Sequence, residues 1–111
     1  MAISKHLDGL GPNEVDVLRG LLQIGVHRDV EVTDGDGDGP QRQLVSQAYC
    51  SALPVAYSRL PAVLWKSFAG LVLEAAYEAT LRAAVMNARS GASNIVLLTR
   101  LGGGAFGNDD E

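Results

Sequence analysis

The segment from Ala62 to Arg89 constrains the fold most, because it is a single apolar helix pattern of about 28 residues. Leu64, Phe68, Leu71, Val72, Ala75, Ala79, Ala83 and Met86 run along one stripe. Leu73, Tyr77, Leu81, Ala84 and Ala88 add a second apolar side. A helix with two apolar sides must be covered on more than one face, so the rest of the chain has to supply a layer against it.

The flanking segments suit such a layer. "QIGVHRDVEVT" sets Ile24, Val26, Val30 and Val32 against polar neighbours at a period of two, which predicts a half-buried strand. "LVSQAYCSALPVAY" predicts a second strand over Leu44 to Ala52, closed off by Pro54. After "RSGASN", with Gly91 as a helix-ending residue, Ile95 to Leu101 predicts a third. A long helix between two strands is the crossover that a parallel pair requires. The expectation is therefore an α/β fold with a mixed sheet of at least three strands. It has one long crossover helix and a short N-terminal helix, "PNEVDVLRGLL", with Pro12 near its start and Val15, Leu18 and Leu22 on one face. Residues 1 to 12 read as a loose lead-in.

With 111 residues, 47% of them hydrophobic and 20% charged, the chain reads as a single globular domain, 1–111. No apolar run approaches the roughly 20 residues that cross a bilayer. The N-terminus has no secretory pattern, and one cysteine, Cys50, fits a reducing cytoplasm. The net charge of −4 and the lack of a Lys/Arg cluster argue against a nucleic-acid binder.

"DGDGDGPQ" imitates the first half of an EF-hand loop with Asp34, Asp36, Asp38 and Gly39. The twelfth position is Val45 where a bidentate glutamate belongs, so a solvated hairpin connection is expected and no metal site. Glu74 and Glu78 form a carboxylate pair on one reading and, with Arg82, an ordinary i,i+4 ion pair on the other. His27 and Asp29 share one side of their strand, an acid–base arrangement or a surface pair. Cys50, Ser51 and Ser46 offer nucleophiles without a located base, and no catalytic residue is assigned. Tyr49, Tyr57, Trp65 and Tyr77 read as core or domain-edge aromatics.

"NIVLLTRLGGGAFGN" ends the third predicted strand in three consecutive glycines. Ligands of α/β sheets sit beyond the carboxyl ends of strands, and bare backbone N–H groups there suit phosphate. The run is neither a Walker A loop nor G-x-G-x-x-G.

"LEAAYEATLRAAVMNARSGASNIVLLTRLGGGAFGN" resembles the second half of a macrodomain, the ADP-ribose-binding family. "VSQAYCSALPVAYS" takes the place of the preceding family strand, so the resemblance covers about residues 44 to 108. It implies a partial three-layer sandwich in which Gly102, Gly103, Gly104, Ala105, Phe106, Gly107 and Asn108 bind ADP-ribose or a related nucleotide diphosphate. Backbone amides would hold the phosphates, and Phe106 would lie beside the distal ribose. No separate cofactor is implied. The family's Asn-rich first loop and adenine-recognising Asp have no counterpart here. The chain then stands as a fragment, a degenerate member, or a unit completed by a second chain. The contrasting expectation is a structural or interaction half-domain that oligomerises or completes another chain, its glycines permitting only a tight strand exit.

Overall fold

A computed structural model describes residues 2–33, 43–103 and 107–108. The Asp34, Asp36, Asp38 and Gly39 loop, Gly104, Ala105 and Phe106, and the acidic end Asp109 to Glu111 lie outside the described residues. The order of elements is α1 (Ala2–Asp8), α2 (Pro12–Leu21), β1 (Gly25–Glu31), β2 (Leu44–Tyr49), two short 3₁₀ turns (Val55–Tyr57 and Ala62–Trp65) and α3 (Lys66–Arg89).

Local chemistry explains most boundaries. Pro12 opens α2, where its missing N–H is no loss, and the Glu14 carboxylate accepts the Gly11 N–H at 2.9 Å. Val15, Leu18 and Leu22 are half-buried on one side, as the spacing predicts, while Val17 and Leu21 face outward. The predicted lead-in is helical over Ala2–Asp8 because Leu7 and Ser4 are buried there and α1 packs on α3. Pro61 delays the long helix by one 3₁₀ turn, so α3 begins at Lys66 and not at Ala62. Its end is a Schellman motif. Gly91, at φ 91°, donates to the Ala88 carbonyl and Ala92 donates to that of Asn87.

β1 and β2 form a two-stranded antiparallel sheet with Gly25 opposite Tyr49, His27 opposite Gln47 and Val30 opposite Val45. Arg28 and Asp29 together face Ser46, which makes a β-bulge, and Asp29 takes the left-handed conformation there, at φ 53°. Asp tolerates that conformation better than most residues.

This sheet corrects the expected fold. Among the described residues, the three-stranded mixed sheet, the parallel pair around a crossover helix and the partial three-layer sandwich are not formed, and Ile95 to Leu101 carries no strand. The reason is that β propensity supplies a strand former but not a neighbour. Tyr77 and Asn87 of α3 hold this segment by its Thr99 and Ser93 carbonyls, so it lies along the helix and leaves the β2 ladder unextended.

Packing follows the same lines. The buried apolar residues are Leu7, Ala52, Val55, Ala69, Ala75 and Ala76, and among the described residues no large side chain is fully buried. Coverage of α3 centres on its alanines, while Leu81, Val85 and Met86 stay exposed, against the expectation of cover on both apolar sides. The radius of gyration is 17.3 Å, against about 13 Å for a compact chain of this length. The shape is accordingly long, at 55 × 30 × 19 Å.

Candidate functional site

The glycine loop begins where the Gly103 N–H turns back to the Arg100 carbonyl at 3.4 Å. Gly102 and Gly107 have φ of 69° and 67°, which glycine adopts without steric cost. A Cβ on Gly102 would stand 2.3 Å from the Ala52 Cβ, and one on Gly107 would stand 2.9 Å from that of Ala56. Both glycines are thus required by backbone conformation and by close packing. The atoms nearest a Cβ on Gly103 belong to the Arg100 side chain, which would have to shift.

Asn108 closes the loop. Its N–H donates to the Gly102 carbonyl at 3.0 Å, and its buried side-chain amide donates to the carbonyls of Leu53, at 2.8 Å, and Gly102, at 3.3 Å. Of the amides expected to hold phosphate, those of Gly103 and Asn108 are therefore engaged within the loop. Asn108 acts as a tie between the 52–56 segment and the chain's C-terminal region.

Beside Gly107 and Asn108 lies a cavity of about 310 Å³ walled by Val55, Ala62, Trp65, Lys66 and Leu73. Trp65 stacks near Phe68 at 6.3 Å and donates its indole N–H to Ser58 at 3.1 Å. Lys66 provides the cavity's cation. A second groove, of about 350 Å³, runs between β2, the alanine face of α3 and residues 92–97.

The other residues singled out by sequence fall into structural roles. Glu78 pairs with Arg82 at 2.9 Å, the i,i+4 contact expected. Arg19 of α2, missed by sequence reasoning, joins the pair, lying 2.7 Å from Glu74, 3.4 Å from Glu78 and 2.6 Å from Asp16. The Asp16 hydrogen bond, with Glu74 helping and partial desolvation opposing, raises the Arg19 guanidinium further above its ordinary value. The carboxylates are thus bridged by a cation. The bulge interrupts the alternation between His27 and Asp29, and His27 instead meets Tyr49 edge-on at 6.1 Å. Cys50 is half-buried with its thiol 3.7 Å from the Thr80 hydroxyl. Ser46 bonds Asn87, and Ser51 donates to its neighbour's carbonyl.

Among the described residues no group of three His, Cys, Asp or Glu side chains could hold a metal, and no helix is long and apolar enough to cross a membrane. No protein-family model matches the chain, and neither the curated proteins nor the solved structures contain a match to it.

Proposed function

We propose that this chain is a structural interaction module that oligomerises or completes another chain. One observation carries the reading: among the described residues, many large apolar side chains lie exposed, outside the core. Leu97 is 92% exposed, Ile95 75%, Val63 74% and Tyr57 70%, while its buried apolar residues are mostly alanines. Surface of this extent on a small protein marks a surface that something else covers. The packing demands at Gly102 and Gly107 support the same reading, since they account for those glycines without a ligand. The test is a melt of the full chain across a wide concentration range. A melting temperature that rises with concentration supports the module. A cooperative melt of a dilute monomer, independent of concentration, overturns it.

A second reading places ADP-ribose or a related nucleotide diphosphate at residues 102–107. What favours it is the cavity beside Gly107, where Lys66 offers a cation to phosphate and Trp65 an aromatic body to a base or ribose. Binding at about 100 times the dissociation constant stabilises a fold by roughly 2.7 kcal/mol. A melt unmoved by excess ADP-ribose ends this reading and leaves the first intact.

A further inference from the structure

Resting on the interaction reading, we infer that the partner covering residues 95–99 is a second copy of this chain, paired antiparallel with the same segment. The segment is held from behind at both ends. Asn87 donates its side-chain amide to the Ser93 carbonyl at 3.4 Å, and the Tyr77 hydroxyl donates to that of Thr99 at 2.6 Å. Between these anchors the exposure alternates, at 75% for Ile95, 38% for Val96, 92% for Leu97 and 52% for Leu98. That alternation is a strand's. Among the described residues, none of Ile95 to Leu98 makes a backbone–backbone hydrogen bond. The Ile95 N–H is taken by the Ser93 hydroxyl at 3.1 Å and the Thr99 carbonyl by Tyr77. The main-chain groups of Val96, Leu97 and Leu98 between them are a template for another strand, and because both ends are already fixed, little further ordering is needed on association.

The segment's own composition favours a second copy. The protein carries a net charge of −4, which disfavours self-association over most of its surface. Ala92 to Thr99 contains no charged residue, and no proline or glycine interrupts it, the composition of strands that pair with themselves. A two-fold axis through Leu97 sets Ile95 opposite Thr99 and Val96 opposite Leu98. It also sets Arg100 opposite Asn94, so no like charges meet. Val26 and Leu44, both exposed, line the adjoining groove with Ile95, Val96 and Leu97 and extend the apolar surface beside the paired segments.

The experiment uses the full chain. Opposed residues of an antiparallel pair lie about 4.5–5.5 Å apart at Cα, within reach of a disulfide. In a Cys50→Ser background, Leu97→Cys is expected to oxidise to a covalent dimer at least tenfold faster than Val63→Cys, which is also well exposed. By ultracentrifugation the wild type is expected to dimerise, and Leu97→Lys to weaken the dimer at least tenfold with an unchanged far-ultraviolet spectrum, since this side chain has almost no intramolecular packing to lose. Equal oxidation rates, or a dimer indifferent to Leu97→Lys, overturn the pairing while leaving the interaction reading in place. A wild type that stays monomeric up to its solubility limit also overturns the pairing. The interaction reading falls as well only if that monomer melts cooperatively at a concentration-independent temperature.

Discussion

The Tyr77 hydroxyl is bonded at once to both sides of the turn into the glycines, donating to the Thr99 carbonyl at 2.6 Å and accepting the Leu101 N–H at 2.8 Å. One phenol on α3 thereby fixes the C-terminal end of the exposed apolar segment. Tyr77→Phe removes both bonds and keeps the ring. A net loss of about 1–2 kcal/mol is expected. The more specific sign is trypsin cleavage after Arg100, expected to accelerate several-fold as Leu101 loses its tether. Urea unfolding and timed proteolysis check the two effects. A variant with wild-type stability and cleavage rate would remove Tyr77 from this role.

Gly102 and Gly103 separate the two reasons for a glycine. Gly102→Ala must hold a left-handed φ and drive its Cβ into that of Ala52, so a loss of roughly 2–4 kcal/mol is expected. Gly103→Ala needs no left-handed φ and first meets the Arg100 side chain, which must shift, so a smaller loss of about 1 kcal/mol is expected. Ala52→Gly, added to Gly102→Ala, should recover the steric part that Ala52 imposes and leave the conformational part together with the crowding of the Asn108 amide, 2.8 Å from the same Cβ. Double-mutant unfolding measurements decide this, and equal effects at 102 and 103 would show that backbone geometry does not govern the loop.

These glycines also show what was legible in the sequence. Their cluster signalled a special backbone, and two of them have one, but no local pattern reveals that Ala52 and Ala56, far back in the chain, fill the space a side chain would need. The Pro12 start of α2, the end of α3 with its Gly91 cap, and the strands β1 and β2 were readable because capping and alternation are local, whereas α1 and the 3₁₀ turn ahead of α3 were not. The third strand failed for the opposite reason. "NIVLLTR" has every strand propensity, yet a strand exists only beside a partner, and Tyr77 and Asn87 hold this one against the helix. The bulge at Asp29 likewise shifted the alternation on which the His27–Asp29 pairing depended. Arg19 was missed because its carboxylate partners on α3 lie more than fifty residues away.

Arg19 gives a salt-dependent prediction. It ties α2 to α3 by reaching Glu74 and Glu78 while also holding Asp16. Arg19→Met keeps the aliphatic stem and leaves two carboxylates four residues apart without their shared cation. The variant should melt below the wild type at low ionic strength, and the gap should narrow as salt rises to about 1 M, because Glu74 is largely exposed and screened. Melts at several salt concentrations check it. A gap independent of salt would assign Arg19 a packing role.

Asn108 supplies a prediction with a pH signature. Its side-chain nitrogen donates to the Leu53 and Gly102 carbonyls from a nearly buried position. Asn108→Ala loses the side-chain donor, while the Gly102 carbonyl keeps the residue-108 N–H and the Leu53 carbonyl keeps the Val55 N–H, so a loss of about 1 kcal/mol is expected. Asn108→Asp at neutral pH is worse, since it turns a carboxylate oxygen toward both. The protonated carboxyl can still donate one bond, so folding should raise this aspartate's pKa above its unfolded value of about 3.9. The folded state then binds more protons than the unfolded one, and stability falls as pH rises. Relative to Asn108→Ala, the Asp variant should lose stability as pH climbs from about 4 through its folded pKa, and should regain it on acidification. Urea titrations of both variants over that range check the sign. Parallel pH curves would place the Asn108 side chain away from the two carbonyls.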